Sequence, residues 1–321
     1  MRITFSWRLV KFLVVSALLV LCAQILVSRV IFKKHLPKPS PIPPEEYRLI
    51  SPETYKYVLN QPAVCEDRSP FLVLMVPVAP GEAEARAAIR KTWGTPSSDI
   101  LTLFYVGLPK EGLASGVQDD LERESRKHAD IIQMDFQDSY HNLTIKTMMI
   151  MNWLATHCPS ASYAMKVDGD IFVNVFHLLG RLRGSPRRGY ITGSVIADGR
   201  PRRDSRSKWH LSEELYPEDG FPPYVSGAGY VFSADLAGRI SRASRFVRMI
   251  PLEDVYVGLC LRVLGVRPAY SQSLLTLRNL FEIRRLEYER CTFAQRVIVT
   301  GFKPSELLHI WQDFSQGHQS C

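Results

Sequence analysis

The sequence predicts an α/β protein with a mostly parallel, doubly wound sheet and flanking helices, preceded by a single transmembrane helix. Two observations predict this class. Between about residues 70 and 190, short apolar runs typical of buried strands alternate with helix-like stretches, and such alternation favours a parallel sheet covered by helices. Near the N-terminus, a long apolar run is followed by a proline-rich segment, a pattern typical of a membrane anchor and a spacer.

The composition indicates a globular chain with a hydrophobic core. Its 321 residues, 46% of them hydrophobic, suffice for one large domain or two small ones. This apolar fraction excludes disorder for most of the chain. Six cysteines are too few for a miniprotein built on disulfides. The net charge of +8 permits an anionic partner without identifying one.

Residues 12–32 are interpreted as a transmembrane signal-anchor helix. The run from Phe12 to Val27 is almost unbroken and covers most of a bilayer core. The alternative is a cleaved signal peptide, whose small-residue cleavage pattern is poorly formed because Leu21 occupies the upstream position. Basic residues on both sides of the run leave its orientation open. The predicted layout is a cytoplasmic tail over 1–11, the anchor over 12–32, an extended proline-rich stem over 33–69 and a globular domain over 70–321.

The elements of the globular domain follow from its hydrophobic pattern. Strands are recognised as short apolar runs, and helices as longer segments with acidic first turns and glycine or basic ends. After residue 190 the pattern is looser. The predicted strands are 71–78, 100–106, 130–136 and 163–167, and the predicted helices are 82–93, 111–128, 143–158 and 253–264.

An acidic pair, Asp168 and Asp170, is the first chemical signal. It follows the strand 163–167 directly, and residues i and i+2 of an extended chain face the same side. Two carboxylates at the carboxyl end of a strand suit Mg²⁺ or Mn²⁺ when phosphate oxygens supply the remaining ligands. The alternative is a solvated turn, because this short motif is common by chance.

A second acidic signal, Glu253 and Asp254, opens the predicted helix 253–264. One interpretation is helix capping, in which a carboxylate accepts from first-turn N–H groups. The other makes one carboxylate a general base near the first acidic pair. The spacing alone leaves both interpretations open.

A glycine-containing segment from Pro222 to Val231 lets the backbone approach a ligand closely. It lacks the spacing of a dinucleotide fingerprint, so a Rossmann cofactor is excluded. The chain also contains no Walker motif, no His-Glu-x-x-His and no Cys-x-x-Cys.

Five sequence blocks, in this order, resemble the beta-1,3-galactosyltransferases of glycosyltransferase family 31. The blocks are Ala88–Gly94, Asp130–Gln133 with Asn142–Thr147, Lys166–Asn174, Tyr224–Val231 and Glu253–Gly258. The resemblance covers about residues 65–321, together with the anchor and the stem. It implies a GT-A-like fold, a UDP-sugar donor, a divalent cation, usually Mn²⁺, and an inverting reaction.

By position, the resemblance implies a role for each of the four acids. Asp170 would be the principal metal ligand, with Asp168 beside it near the ribose of the nucleotide and the metal. Asp254 would be the catalytic base, and Glu253 next to it would shape the acceptor pocket.

The resemblance also places Arg86 and Arg90 in the block that lines the nucleotide. The alternative for either arginine is a surface ion pair with Glu82 or another acid. On the acceptor side, Trp209 and Tyr224 are candidates for stacking on a sugar, although core packing stays open for both. The remaining acceptor-side candidates are Ser226 and Gly227.

Two departures from the family pattern matter. Gly169 stands between the two aspartates, where the family usually has Asp or Ser. The family usually also has a His a few residues before the proline that matches Pro304, whereas this chain has Thr300 and Gly301 there. His309 lies further on and is interpreted as a helix-face residue. Weaker metal binding or lost activity would follow if that His is needed.

The sequon Asn142-Leu-Thr144 predicts glycosylation at Asn142 if the domain is lumenal. A lumenal domain would make the protein a single-pass type II protein of the Golgi membrane, with its cysteines in an oxidising space. The resemblance implies a disulfide between Cys260 and Cys291, and buried free thiols are the alternative.

A basic stretch from Arg181 to Lys208 raises the question of a nucleic-acid partner. Neither aromatic alternation nor a recognition helix accompanies it, so a solvated loop rim is preferred and no nucleic acid is expected.

The predicted activity is transfer of galactose from UDP-galactose to the 3-hydroxyl of an acceptor sugar in beta linkage. The acceptor would be a glycan ending in GlcNAc, GalNAc or Gal on a glycolipid or glycoprotein. Two alternatives stay open: a beta-1,3-N-acetylglucosaminyltransferase that uses UDP-GlcNAc, and an inactive paralogue that binds nucleotide or glycan.

Overall fold

The computed structural model describes residue 7 and residues 11–12, 14–24, 40–112, 115–274 and 286–321. The chain divides into two compact units, Met1–Ser40 and Pro41–Cys321. In the first unit, residues 14–24 are helical (α1), with mostly exposed side chains. No helix within the described ranges is both long and apolar enough to cross a bilayer. Residue 13 and residues 25–32 of the predicted anchor lie outside those ranges.

The second unit is organised around a large β-sheet. Its described strands are β1 (Tyr57–Leu59), β2 (Leu72–Pro77), β3 (Ile100–Leu108), β4 (Ile131–Gln137), β5 (Tyr163–Val167), β6 (Ile171–Val173), β7 (Ile191–Ile196), β8 (Tyr224–Ser233), β9 (Ala269–Tyr270) and β10 (Ile298–Thr300). Eight of them form one sheet in the order β1-β4-β3-β2-β5-β8-β7-β9, and β6 pairs with β10. Strands β4, β3, β2 and β5 are parallel, as predicted. Strand β8 is antiparallel to both of its neighbours, so the second half of the sheet is mixed.

Helices cover both faces of this sheet. Within the described residues they are α2 (Pro44–Tyr47), α3 (Ala83–Arg90), α4 (Gly116–His128), α5 (Leu143–His157), α6 (Val175–Leu182), α7 (Asp235–Ala243), α8 (Glu253–Leu264), α9 (Arg290–Ala294) and α10 (Pro304–Gly317). Side chains of β2 alternate between two core clusters: Val73 and Met75 join α5, α7 and α8, whereas Leu74 joins α3, α4 and α6. Burial of both faces explains why the parallel strands are continuous apolar runs.

Most predicted elements lie where the sequence places them. Strand β5 and helix α8 have the predicted bounds, 163–167 and 253–264. Helix α4 is the exception: it begins at Gly116 rather than residue 111, because the Ser115 side chain accepts from the Gln118 N–H and caps the helix there.

The sequence predicted an extended stem over residues 33–69. Residues 33–39 lie outside the described ranges, and over residues 41–69 the prediction is wrong. Ile50 is completely buried, and β1 extends the sheet beside β4. Cys65 forms a disulfide with Cys158, the residue that follows the last turn of α5. The prolines do not keep this segment extended because Pro44 and others open helical turns, a position that proline favours. The second unit therefore begins near Pro41.

The disulfide predicted between Cys260 and Cys291 is also wrong. Cys65 pairs with Cys158, and Cys291 pairs with Cys321. Cys260 is a buried free thiol in α8, whose surroundings are the apolar core under the sheet, whereas Cys291 lies in α9.

The two disulfides are expected to contribute unequally to stability. They close loops with sequence separations of 93 and 30 residues, and a longer loop removes more entropy from the unfolded chain. Replacing Cys65 and Cys158 by serine should lower the free energy of unfolding by roughly 4–5 kcal/mol, and the same change at Cys291 and Cys321 by about 1 kcal/mol less. Chemical denaturation of both double variants checks the order, and equal losses would contradict it.

Candidate active site

A buried lysine joins the two acidic segments. Lys166 lies on β5 among apolar residues, and its Nζ donates to Asp168 Oδ1 at 2.7 Å, to the Gly227 carbonyl at 2.6 Å and to Glu253 Oε1 at 3.0 Å. These three partners belong to the end of β5, to β8 and to the start of α8. The two acidic signals, far apart in the sequence, therefore lie at one site.

The charged groups around Lys166 shift the pKa values of one another. Burial alone would lower the pKa of Lys166, but the Asp168 and Glu253 carboxylates outweigh it and raise that pKa. Burial raises the pKa of Glu253 to about 7; Lys166 opposes this shift, and the charges of Asp254 and Asp168 add to it. Thr147 on α5 donates to Glu253 Oε2 at 3.3 Å. With only 7% exposure, Glu253 is a positioning group beneath the site rather than an exposed wall of a pocket.

Asp254 is the accessible carboxylate of the pair. It is half-buried; the Gly227 N–H donates to its Oδ2 at 3.2 Å and the Val255 N–H to its Oδ1 at 2.9 Å. The Val255 N–H belongs to the first turn of α8, so Asp254 satisfies one first-turn N–H group, as the capping interpretation predicts. The bond from the Gly227 N–H of β8 orients the same carboxylate, which stays partly exposed.

Gly227 has no room for a side chain. A Cβ at this position would lie 2.6 Å from Glu253 Oε1 and 3.4 Å from the Asp254 Cβ. The Glu253 side chain cannot simply swing away, because Lys166 and Thr147 hold its two oxygens. The glycine therefore permits the close approach of β8 to α8 that brings the acids together.

Gly227→Ala is expected to lower the turnover number at least tenfold, because the added methyl displaces Glu253 and with it the start of α8. Gly180→Ala is the matched control, since a Cβ there meets nothing within 4 Å and alanine favours a helix. Initial rates and thermal unfolding of both variants check this. Unchanged rates in Gly227→Ala would contradict the described packing.

The first acidic pair lies in a turn and not on an extended strand. Strand β5 ends at Val167, and Asp168-Gly169-Asp170 connects it to β6. The strand-alternation argument for a shared direction is therefore wrong, yet the carboxylates remain close enough to interact: partial desolvation and the Asp168 charge raise the pKa of Asp170. A Cβ at Gly169 would lie 3.0 Å from Val78 Cγ1, so the glycine fits a tight turn.

The region of Thr300 and Gly301 lies against this turn. Thr300 pairs with Ile171 at the start of β6, and the N–H groups of Gly301 and Phe302 donate to the Asp170 carbonyl. The position where the resemblance expects a His is thus beside the acidic pair. His309 lies on α10 and is exposed, as the sequence predicts.

Comparison with known proteins gives the family. The galactosyltransferase family model matches residues 84–272. The chain belongs to the galactosyltransferase family. It is 42% identical to mouse (Mus musculus) beta-1,3-galactosyltransferase 1 over 282 residues, 85% of this chain and 83% of that one. It is 41% identical to the human (Homo sapiens) and mouse beta-1,3-galactosyltransferase 2 over 275 residues, 83% of this chain, and spans 64% of the length of those relatives.

Among solved structures, the chain is similar to the galactosyltransferase LgtC in complex with donor and acceptor sugar analogs. The TM-score is 0.39 at 12% identity, over 77% of this chain and 95% of that one. The family membership and the sheet order agree with the GT-A-like fold that the resemblance implies.

In this galactosyltransferase family member, the two candidate nucleotide arginines are engaged in ion pairs. Buried Arg86 donates to Glu124 and to the Ala79 and Pro80 carbonyls. Arg90 donates to Glu124 and to Asp130. The ion-pair alternative holds for both arginines, with the half-buried Glu124 and Asp130 as partners rather than Glu82. Arg86 thereby fixes the loop that follows β2, at the carboxyl end of the parallel strands.

The predicted acceptor-side residues divide by exposure. Trp209 is exposed, whereas Tyr224 and Ser226 are buried; the Tyr224 ring packs against Phe221 in the core. Asn142 ends a short 3-10 helix before α5, and its Nδ2 donates to the Gln137 carbonyl at 2.8 Å; its glycosylation stays a prediction. The sequence reasoning missed Lys166, although a lysine inside an apolar strand signals a buried partner.

Stability should depend on pH through Glu253. Its folded pKa of about 7 exceeds the ordinary value of 4.5, so between these values the folded protein keeps a proton that the unfolded chain has lost. The free energy of unfolding should therefore fall by roughly 3 kcal/mol as pH rises from about 4.5 to 7, and level off above. Urea titrations of wild type and Glu253→Gln across this range isolate the effect, because other titrating groups are common to both. Parallel pH profiles would refute the assignment.

Proposed function

We propose that this protein transfers galactose from UDP-galactose to the 3-hydroxyl of an acceptor sugar, in beta linkage. One observation carries the proposal: the open, oriented carboxylate of Asp254 lies at the same site as the Asp168–Asp170 turn, joined to it through Lys166 and Gly227. The family and the relatives named beta-1,3-galactosyltransferases support the sugar and the linkage.

The arrangement suits a single displacement. The Asp254 carboxylate accepts the proton of the acceptor hydroxyl as that oxygen bonds to the anomeric carbon. The bond from that carbon to UDP breaks on the opposite face, so an alpha-linked donor gives a beta-linked product. No covalent intermediate is needed, and one base is sufficient. Lys166 keeps Glu253 and Asp168 in place.

The acidic turn fits a hard divalent cation such as Mn²⁺. Asp170 and Asp168 would hold it through carboxylate oxygens, the donors that such cations prefer. Within the described ranges, no group of three or more His, Cys, Asp or Glu side chains could hold a metal alone. Phosphate oxygens and water would complete the ligand set. When bound, the cation would stabilise the negative charge that develops on the UDP leaving group.

The location proposed for this activity is the lumen of the Golgi, with residues 12–32 as the anchor of a single-pass type II protein. The two disulfides support an oxidising compartment, and the sequon at Asn142 is meaningful only there. Acceptors would be glycans of glycolipids or glycoproteins.

A screen of donors against acceptors tests the proposal. The full chain in detergent is incubated with Mn²⁺, UDP-galactose or UDP-GlcNAc, and methyl glycosides of beta-GlcNAc, alpha-GalNAc and beta-Gal. Cation-dependent formation of a β1,3-galactoside is expected. Transfer from UDP-GlcNAc instead would show the alternative donor, and nucleotide binding without transfer of any sugar would indicate an inactive paralogue.

A further inference from the structure

The long connection between β7 and β8 is a folded loop that exposes a tryptophan. Arg203 closes it from within, donating to the Leu211 carbonyl at 2.8 Å and to the Tyr216 carbonyl at 2.9 Å. The Phe221 N–H donates to the Gly199 carbonyl at 2.8 Å and closes its base. Trp209 in this loop is 42% exposed. An internally bonded loop holds this large side chain in solvent at a defined place.

A second exposed aromatic, Tyr140, stands at the entrance of α5. It is 44% exposed and opens the 3-10 helix Tyr140–Asn142. One turn further on, the buried hydroxyl of Thr144 donates to the Ile250 carbonyl at 2.7 Å, and Thr147 bonds Glu253. The start of α5, which Tyr140 precedes by one turn, is therefore tied to the segment that begins α8 and carries Glu253 and Asp254.

The two aromatic rings meet around one cation. Lys208 Nζ lies 5.6 Å from the Tyr140 ring centroid and 4.7 Å from that of Trp209, within the range of cation–π attraction. Burial raises the pKa of Tyr140, a polar contact with Trp209 opposes the shift, and the charges of Asp254, Glu253 and Asp168 add to it.

We propose that Tyr140 and Trp209 form the platform on which the acceptor sugar stacks, with its reacting hydroxyl directed at Asp254. A pyranose presents a face of C–H groups and an edge of hydroxyls, which matches large amphipathic rings beside carboxylates. Exposed tryptophan and tyrosine next to a site have an unburied apolar surface that such a ligand covers. This inference rests on the proposed function and adds the residues that select the acceptor.

Kinetics of ring variants test the platform. Tyr140→Ala and Trp209→Ala should each raise the acceptor KM about tenfold and leave the KM for UDP-galactose within about twofold. Phe176→Ala is the matched control, since Phe176 is 42% exposed but stacks on Trp311 and His318 of another region.

Saturation-transfer NMR with methyl beta-N-acetylglucosaminide, UDP and Mn²⁺ separates this inference from the proposed function. Sugar binding that Tyr140→Ala and Trp209→Ala abolish would support the platform even if no transfer occurred. An unchanged acceptor KM or unchanged sugar signals in both alanine variants would overturn it. If the wild type binds none of the three methyl glycosides, the proposal is also overturned. That result is expected if Tyr140 and Trp209 instead contact a partner protein.

Discussion

Asp254→Asn is expected to lower the turnover number about 10²–10⁴-fold, the usual contribution of a general base. The amide keeps the size of the side chain, and its oxygen can still accept from the Gly227 N–H. It cannot take the proton of an attacking hydroxyl. Binding of UDP with Mn²⁺ should therefore stay within about twofold of wild type, because the nucleotide is held at the Asp168–Asp170 turn.

Initial rates and calorimetric UDP binding check this expectation. Asp67→Asn is the control, since Asp67 is an exposed aspartate far along the chain from both acidic segments, and should change neither quantity. If Asp254→Asn turns over like wild type, the assignment of the base is wrong. If it loses UDP binding as well, the carboxylate contributes to the donor side and not to acceptor deprotonation.

Lys166→Met should have the second large effect. It removes the cation that Asp168, Glu253 and the Gly227 carbonyl share and leaves the buried Glu253 without its partner. Breaking a buried ion pair in this way costs about 3–5 kcal/mol of the free energy of unfolding. Transfer should also fall below detection at temperatures where the variant is folded, because β5, β8 and α8 lose their common contact.

A second variant separates stability from chemistry. In Lys166→Met with Glu253→Gln, no uncompensated buried charge remains, so part of the lost stability should return, whereas transfer should not. Lys146→Met is the matched control: Lys146 is also buried, bonds Asp138 and the Val78 carbonyl, and should lose similar stability while the folded protein keeps measurable transfer. Equal specific activity in Lys166→Met and Lys146→Met would show that Lys166 acts through stability alone.

Local pattern was sufficient to predict most of the fold. Strand β5 and helix α8 have their predicted bounds because apolar runs and an acidic first turn are encoded in adjacent residues. The extended stem was wrong for residues 41–69 because proline content does not reveal that Ile50 is buried against the rest of the unit. The antiparallel direction of β8 was equally invisible, since it depends on pairing with β5 and β7.

The sequence predicted the acidic residues of the site but not the residues that hold them in position. Asp168 and Asp254 were found because carboxylates next to apolar segments need a partner. The partner itself, Lys166, and the pairing of Arg86 with Glu124 of α4 require contacts between distant segments. Disulfide connectivity also depends on contacts between distant segments, because spacing alone does not determine which cysteines pair. The sequence did not predict a role for Tyr140, because the exposure of its ring is a property of the folded chain.

The most direct test of the central claim is paramagnetic broadening by Mn²⁺ in the full chain, read on the methyl signals of Val255 and Val257 in α8 in the presence of UDP. Bound Mn²⁺ at the Asp168–Asp170 turn should broaden both signals strongly, because that turn and the start of α8 share the Lys166 ammonium group. The broadening should disappear in Asp170→Asn. Sharp Val255 and Val257 signals at saturating Mn²⁺ and UDP would contradict a single site built from the two acidic segments.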